Sequence, residues 1–322
     1  PYRIARDVKG IGFKTADKIA LNLGISTNGP ERIDAGILHA MDELEGDGHT
    51  CAGRQDLIDK AVGVLEVHPA EVSSRLDALK SSADLVECEP EVFQQPSTAR
   101  AEQVAAQSLG KLLAAPSCLP PILVDKAVDW AQEKAGFGFA PEQAQGLKTA
   151  LSSKVSILTG GPGTGKTTIL QALVAILKAK KVRVQLTAPT GRASRRMAET
   201  TSHFSQTVHR LLQFDPSAGG FTANENKPLS CDFVVMDEAS MLDVRLAAAL
   251  IRAIPAQAHL LLVGDADQLP SAAHVQQGAE GSLPDGCQGA RAEGSDSRDV
   301  TEGWRRGDGP RAGLRERGFI TH

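Results

Sequence analysis

The segment that most constrains the fold is a glycine-rich stretch, residues 160–167, which matches the pattern Gly-x-x-x-x-Gly-Lys-Ser/Thr in full. It follows an apolar run, Val155–Thr159, and opens a predicted helix at Lys166. Glycines allow a tight turn in which successive backbone N–H groups point inward around phosphate oxygens, and a helix N-terminus adds its positive dipole end. A glycine-rich turn that binds nothing is the alternative for the bare pattern. The strand and the helix on either side favour a phosphate-binding loop.

In such a loop the lysine, Lys166, reaches the β- and γ-phosphates, and the hydroxyl of Thr167 is a ligand for Mg²⁺. The pattern therefore predicts ATP and Mg²⁺ as ligands. We expect the nucleotide to contact Gly161, Gly163, Thr164, Gly165, Lys166, Thr167 and Thr168.

The second half of the chain alternates short apolar runs with amphipathic helices. This alternation predicts an open, doubly wound α/β fold with a parallel sheet, because buried parallel strands read as continuous apolar runs. The predicted strands are 155–159, 182–188, 233–236 and 259–264. The predicted helices are 166–180, 192–200 and 244–254.

Two of these strands run into polar residues. The strand 233–236 leads into Asp237, which could hold Mg²⁺ through water, and Glu238, which could orient and deprotonate the attacking water. Acidic pairs also commonly start helices. The strand 259–264 leads to Gln268, which could touch the γ-phosphate, although an ordinary polar loop is an equal alternative. Their common position after sheet strands favours the catalytic interpretation.

The chain divides by pattern into four regions. The pattern predicts a short helical element in residues 1–26, around Gly10-Ile11-Gly12. It predicts a helical domain in residues 27–115 with a hairpin near 85–93, which would suit a winged helix. A proline-rich linker then leads to the P-loop domain, 122–270. Residues 271–322 include ten glycines and few apolar residues, which predicts disorder.

Composition narrows the class of protein. The net charge of −4 provides no overall basic field, so any DNA site must be a local patch. The five cysteines are scattered without a CxxC pair, which argues against a disulfide scaffold or a zinc site and favours a reducing, cytoplasmic location. No apolar run approaches the roughly 18 residues that would predict a membrane span.

Five motifs resemble those of superfamily 1 helicases and occur in the same order. The residues within each motif are most similar to those of RecD-like ATP-dependent DNA helicases, which are relatives of the exodeoxyribonuclease V alpha subunit. The five segments are 160–168, 188–193, 207–212, 237–241 and 264–270. Residues 1–20 also resemble the helix-hairpin-helix region of that family, so the resemblance covers residues 1–271.

The resemblance implies a RecA-like P-loop domain that follows a helix-hairpin-helix and winged-helix-like region. It implies 5′-to-3′ translocation on single-stranded DNA in recombination and repair, with single-stranded DNA or single-strand/double-strand junctions as partners and other repair-complex subunits as possible ones. No oligomeric state follows from it. The resemblance implies that Gln143 recognises adenine and that phosphate and Mg²⁺ are bound by Lys166, Thr167 and Asp237. It implies that Glu238 is the catalytic base and that Gln268 couples the γ-phosphate to the DNA track. The residues implied to contact DNA are Thr190, Arg192, Thr207 and His209.

The residues by themselves say less about DNA. The predicted helix begins with Arg192, Arg195 and Arg196, which could bind phosphate, with a solvated basic face as the alternative. His209 could be a packed histidine. One Tyr and two Trp offer no evident stacking platform. Near the N-terminus, Gly10, Gly12 and Lys14 could grip a phosphate through backbone amides, and a structural turn is an equal alternative.

The resemblance stops abruptly after Pro270. The family continues into a second RecA-like domain, whereas this chain turns to Gly/Arg/Ala-rich sequence from Ser271. A frameshift or a misplaced gene end is one explanation, and the 322-residue chain is then expected to hydrolyse ATP slowly and to unwind nothing. The alternatives are a non-motor DNA-binding module with a vestigial nucleotide pocket, or another P-loop ATPase, which the motifs at 188–192 and 264–270 disfavour.

Overall fold

The computed structural model describes residue 2 and residues 12–161, 163–217 and 219–265. The chain divides into two compact units, with the boundary between Arg100 and Ala101. The regions predicted around 1–26, 27–115 and 122–270 stay predictions. The region predicted to be disordered, 271–322, lies outside the described residues.

The N-terminal unit consists of helices and a small antiparallel sheet. Its helices are α1 (Phe13–Asn22), α2 (Pro30–Gly46), α3 (Arg54–Leu65) and α4 (Pro69–Ser81), and α5 (Pro96–Ala114) crosses the unit boundary. The strands β1 (Ala52–Gly53), β2 (Val86–Glu89) and β3 (Val92–Gln94) pair in the order β1-β3-β2. The hairpin expected near 85–93 is therefore present, and β1 adds a third strand that the sequence pattern does not predict.

Helix α2 illustrates how local sequence specifies this unit. Pro30 occupies its first turn, where a missing N–H costs nothing. Its apolar residues at helical spacing, including Ile33, Ile37 and Met41, are buried in the core of the unit. Gly36 lies against Leu65 of α3, where a Cβ atom would collide with the leucine side chain. A small residue thus allows the two helices to approach closely.

A buried ion pair joins α1 to α2. Arg32 donates to both carboxylate oxygens of Asp17, at 2.8 and 2.9 Å, and the hydroxyl of Tyr2 donates to the same carboxylate at 2.7 Å. Arg32 also donates to the main-chain oxygens of Thr27 and Leu65, at 2.8 and 3.0 Å. Because nearly every polar atom of the pair has a partner, the burial of these charges is compensated.

The C-terminal unit contains a five-stranded parallel sheet in the order β4-β10-β9-β5-β6. The strands are β4 (Val155–Thr159), β5 (Val184–Ala188), β6 (Ser205–Thr207), β9 (Phe233–Met236) and β10 (His259–Gly264). The helices are α6 (Val124–Ala135), α7 (Pro141–Ser152), α8 (Lys166–Ala179), α9 (Gly191–Thr201), α10 (Val208–Leu211) and α11 (Val244–Ala253). A short hairpin pairs β7 (Phe214–Asp215) with β8 (Gly220–Phe221).

Both faces of the parallel sheet are covered. Along β9, Val234 and Met236 belong to the apolar cluster that includes α11, whereas Phe233 and Val235 belong to the cluster that includes α7 and α8. This alternation follows from the two-residue period of a strand. The predicted doubly wound P-loop fold is confirmed. Among the described helices, none combines the length and the apolar character needed to cross a membrane.

Candidate active site

The sheet brings the conspicuous sequence motifs to one edge. Because all five strands are parallel, their carboxyl ends lie at the same edge, and the residues that follow them face one region. The segments that follow are 160–167 after β4, 189–192 after β5, 208–211 after β6, 237–241 after β9 and Asp265 after β10. The topology therefore places P-loop, acidic pair and expected DNA-contacting residues on one side of the domain.

The P-loop depends on glycine at defined positions. Gly163 and Gly165 have φ angles of 81° and 85°, in the left-handed region that favours glycine. A Cβ atom at Gly160 would lie 2.7 Å from the hydroxyl oxygen of Thr164, which itself donates to the main-chain oxygen of Gly161 at 2.9 Å. The turn that opens α8 is therefore accessible only with small residues at these positions.

Lys166 lies over this loop. Its Nζ donates to the main-chain oxygens of Gly160 and Gly161, the latter at 3.2 Å. The first turn of α8 contains no acidic residue and presents the exposed side chain of Thr167 and the partly buried Thr168. An ammonium group, free helix amides and a hydroxyl together form a site of positive potential that suits a phosphate group.

Gln143 is tied to the same loop. Its Oε1 accepts from the backbone N–H of Ala140 at 3.1 Å, and its Nε2 donates to the main-chain oxygen of Thr164 at 3.0 Å. The side chain also covers Gly165, where a Cβ atom would collide with the amide group. The structure thus places Gln143 beside the phosphate loop, and its expected role in recognising adenine stays a prediction.

Asp237 and Glu238 leave the sheet through a constrained turn. The N–H of Asp237 donates to the main-chain oxygen of Thr187 at 2.9 Å, and the N–H of Glu238 donates to the Asp237 carboxylate at 2.9 Å. Glu238 has φ 53° and ψ 41°, a left-handed conformation that is costly for a residue with a side chain. Such strain is characteristic of functional sites, where surrounding structure holds a side chain in one direction.

Burial raises the pKa of Asp237, and the nearby charge of Glu238 raises it further. The positive charges of Arg196 and Lys166 oppose this change. The charge of the phosphate-loop lysine therefore reaches the carboxylate at the end of β9. Arg196 is one of the three arginines expected at the start of the helix after β5.

The residues expected to contact DNA lie on two neighbouring helix starts. Thr190 caps α9 by accepting from the N–H of Ala193 at 3.2 Å, and Thr207 caps α10 by accepting from the N–H of Arg210 at 3.4 Å. Arg192 is exposed in the first turn of α9. Both threonines thus have a structural role that coexists with exposure at the helix start.

His209 belongs to an aromatic cluster that the counts of Tyr and Trp do not reveal. Its ring centroid lies 6.0 Å from that of Phe214 and 5.7 Å from that of Phe221, and the two phenylalanine centroids are 5.3 Å apart. Phe214 is 48% exposed. Two phenylalanines of the β7–β8 hairpin thus pack against the histidine. The signal in the sequence is two phenylalanines, Phe214 and Phe221, within nine residues after the 207–212 motif.

The remaining predicted residues belong to the N-terminal unit or lie outside the described range. In the N-terminal unit, Gly12 precedes α1 with no side-chain cap, and the exposed Lys14 donates to Glu43 at 3.4 Å. Gly10 and Gln268 lie outside the described residues. Their expected roles stay predictions.

Two family models match the chain. The model described as an AAA domain matches residues 143–274, and the model described as the ATP-dependent RecD2 DNA helicase HHH domain matches residues 1–51. The two matched segments contain the P-loop with the β9 and β10 motifs, and the start of α1.

Curated proteins show the same likeness. The chain is 35% identical over 279 residues to the ATP-dependent RecD2 DNA helicase of Deinococcus radiodurans. The matched segment covers 82% of this chain and 38% of the relative. It is 38% identical over 161 residues to the RecBCD enzyme subunit RecD of Mycobacterium tuberculosis, which covers 43% of this chain and 27% of the relative. For the RecD subunit of Haemophilus influenzae the identity is 35% over 161 residues, which covers 42% of this chain and 25% of the relative.

The chain thus spans well under half the length of these relatives. The match to the Deinococcus protein covers most of the chain, and the two family models cover N-terminal helices and the P-loop sheet. A P-loop and an acidic strand end in one domain, together with these matches, make the chain similar to RecD-like ATP-dependent DNA helicases over the segments that the matches cover.

Proposed function

We propose that this chain binds and hydrolyses ATP as part of a DNA helicase that translocates 5′ to 3′ on single-stranded DNA in recombination or repair. The observation that carries this proposal is the position of Asp237 and Glu238 at the same sheet edge as the P-loop. Hydrolysis of a nucleoside triphosphate needs these groups together.

The residues at this edge fit a magnesium ion. The hydroxyl of Thr167 and the carboxylate of Asp237 are oxygen donors of the kind that Mg²⁺ prefers. Burial of Asp237 raises its pKa, so a cation that stabilises the charged carboxylate would be favoured there. When bound, Mg²⁺ neutralises charge on the phosphate oxygens. Lys166 and the first-turn amides of α8 would hold those phosphates.

We assign water activation to Glu238. The left-handed conformation of Glu238 and the hydrogen bond from its N–H to Asp237 restrict the direction of its side chain. A carboxylate held in one direction beside a phosphate can orient a water molecule and accept its proton. Gln143 would fix the position of adenine through its tie to Thr164.

We assign the DNA track to the exposed groups beside this site. Arg192 and the helix starts capped by Thr190 and Thr207 present positive charge and amide groups, which suit phosphates. His209 and Phe214 present rings on which bases can stack. In the N-terminal unit, the start of α1 with Gly12 and Lys14 would bind a further phosphate. The direction of travel rests on the resemblance alone.

A full motor would need more than the described P-loop domain. In phosphoryl-transfer enzymes an arginine supplied from outside the phosphate loop contributes roughly 10³–10⁵ in rate. We therefore propose that residues 1–322 on their own bind Mg-ATP weakly, hydrolyse it slowly and do not unwind DNA. A chain as long as the relatives would hydrolyse ATP rapidly and unwind DNA.

The test is nucleotide binding and turnover by the 322-residue chain. Calorimetry with Mg-ATP should show binding that Lys166→Ala abolishes and that Lys111→Ala, an exposed lysine on α5, leaves unchanged. Turnover should be slow with and without single-stranded DNA. DNA binding without any nucleotide uptake at millimolar concentration would instead identify a DNA-binding module with a vestigial pocket, and the proposed function would be abandoned.

A further inference from the structure

An open groove of about 300 Å³ lies between the start of α6 and the end of α8, which we call the α6–α8 groove. It is lined by Ile122, Leu123, Lys126, Ala127, Trp130, Ile176, Ala179 and Lys180. Helix α8 starts at the P-loop and runs for 14 residues, about 20 Å. Because Lys180 caps its far end, the groove lies away from the nucleotide edge. A ligand in this groove would therefore not compete directly with nucleotide.

The floor of the groove is apolar and unusually exposed. Leu123 is 68% exposed and Trp130 is 38% exposed, although both are large apolar side chains. They adjoin the aliphatic side chains of Ile122 and Ile176. Neighbouring exposed apolar side chains suit an interaction site, and tryptophan is one of the residue types enriched at the energetic centres of protein interfaces.

The rim of the groove is positively charged. Lys126 and Lys180 line it, and the Nζ of Lys134 lies 4.9 Å from the centre of the Trp130 ring. Lys126, Trp130 and Lys134 follow each other at intervals of four residues, which places them along one side of α6. In the described part of the chain, no carboxylate forms an ion pair with Lys126, Lys134 or Lys180.

The acidic residues of α6 lie on another side of the helix. Asp125, Asp129 and Glu133 form a separate stripe, and Asp125 pairs with Lys148 of α7 at 2.7 Å. Asp129 also acts on the charge of Lys148. Asp125 thus pairs with α7, whereas Lys126 lines the groove. The two lysines that line the groove favour an acidic ligand.

We propose that the α6–α8 groove binds a segment of a partner protein that carries acidic residues beside a large apolar side chain. The apolar side chain would lie on Leu123 and Trp130, and the carboxylates would face Lys126 and Lys180. A single-stranded nucleic acid fits less well, because the floor is aliphatic and one face of the single ring already carries Lys134.

The experiment uses Trp130 as its own reporter. The chain has two tryptophans, so Trp304→Phe leaves Trp130 as the single one. Three synthetic peptides of equal length are titrated: one of Asp and Phe, one with Lys in place of Asp, and one with Ala in place of Phe. The Asp/Phe peptide should shift Trp130 emission to shorter wavelength with saturation, and the other two should bind at least about tenfold more weakly.

Variants separate the rim from the floor. Lys126→Glu with Lys180→Glu should weaken binding of the Asp/Phe peptide about tenfold, and the matched control Lys111→Glu should not. Trp130→Ala, followed by calorimetry, should weaken it roughly thirtyfold. Since Lys126 and Lys180 are exposed and the groove lies away from the nucleotide edge, the doubly reversed variant should keep the nucleotide affinity of the parent.

Other occupants give distinct results. A concentration-dependent dimer that Leu123→Asp abolishes would show that a second copy fills the groove. Saturable quenching of Trp130 by oligo(dT) would show a nucleic-acid site. Equal binding of the acidic and basic peptides, or no binding of the acidic one, would also overturn the proposal. None of these outcomes depends on ATP binding, so the groove and the proposed function can fail separately.

Discussion

The Nε2 of Gln143 donates to the main-chain oxygen of Thr164 at 3.0 Å, so the start of α7 is fastened to the phosphate loop. Replacement of Gln143 by Glu keeps an acceptor for the Ala140 N–H and removes the donor to Thr164. A lost hydrogen bond of this kind, with two oxygens left facing each other, costs about 1–3 kcal/mol. We expect Mg-ATP affinity to fall roughly tenfold or more. Titration of a fluorescent ATP analogue measures this.

The same variant tests base recognition. If Gln143 recognises adenine, the ratio of ATP affinity to GTP affinity should fall along with the absolute affinity. Gln145→Glu, two residues further along α7 and exposed, is the matched control and should leave both affinities unchanged. A variant at Gln143 that loses affinity while keeping its selectivity would limit this residue to positioning the loop.

Glu238 combines a proposed catalytic role with backbone strain. Glu238→Gln keeps the shape of the side chain and removes the base, so hydrolysis should fall by about 10²–10⁴ while nucleotide binding is retained. Single-turnover hydrolysis in a chain that has measurable turnover, together with calorimetry, provides both values. Retained hydrolysis in Glu238→Gln would assign the base to another residue.

Glu238→Gly separates strain from chemistry. Glycine adopts φ 53° without the penalty that a Cβ atom brings, so the free energy of unfolding should rise by roughly 1 kcal/mol while hydrolysis is lost. Ser202→Gly, at φ 49° after α9 and away from the acidic pair, should give similar stabilisation with hydrolysis unchanged. Urea unfolding of both variants makes the comparison.

The sequence predicts some of this fold and site well. Strands β4, β9 and β10 have the predicted bounds because each is a short, mostly apolar run. Strand β6 is missed, since Ser205-Gln206-Thr207 has no apolar pattern and is a strand only through backbone pairing with β5. The strand ends predict where Asp237 lies.

Other features need the folded chain. The left-handed backbone of Glu238 is not predictable, because few residues other than glycine adopt it and no turn signal marks it. The aromatic cluster around His209 requires the hairpin that brings Phe214 and Phe221 together. The contacts of Lys166 with its own loop likewise depend on backbone geometry.

Asp237 should make the unliganded protein less stable at neutral pH. Burial raises its folded-state pKa above the unfolded value, so the folded state holds the proton more tightly, and stability falls as pH rises through the interval between the two values. Asp237→Asn should therefore increase the free energy of unfolding at pH 7 without Mg²⁺. The difference in free energy of unfolding between Asp237→Asn and the parent should shrink as pH falls below the raised pKa of Asp237. Urea unfolding at several pH values, with chelator present, tests the sign.

The Asp17–Arg32 pair should have the opposite pH dependence. Burial favours the neutral form of Asp17, but hydrogen bonds from Arg32 and Tyr2 outweigh it and hold the pKa of Asp17 below its usual value. The stabilisation is thus present above the unfolded pKa and is lost as pH falls through the folded one. Asp17→Asn leaves Arg32 buried without its partner and should cost about 3–5 kcal/mol at pH 7.

The control for that pair is Lys80→Ala, which removes an ion pair with Glu87 whose lysine is largely exposed. Its cost should stay below about 1 kcal/mol. Chemical unfolding of the two variants at pH 7 and at pH 3 compares them. A similar small cost for Asp17→Asn would mean that the junction of α1 and α2 tolerates an unpaired guanidinium.

The ring of Phe214 should contribute to binding of single-stranded DNA, because it is 48% exposed and packs beside His209 at the proposed track. Stacking of a base on an aromatic side chain contributes about 1–3 kcal/mol, so Phe214→Ala should weaken oligo(dT) binding by roughly 5- to 150-fold. Phe137→Ala removes a ring that is 54% exposed and follows α6, away from the hairpin, and should have no such effect. Fluorescence anisotropy at a fixed, low salt concentration compares the two, because phosphate contacts weaken as salt rises. Equal loss in both variants would indicate a general change in the surface, and the cluster of His209, Phe214 and Phe221 would then have only the task of closing the β7–β8 hairpin.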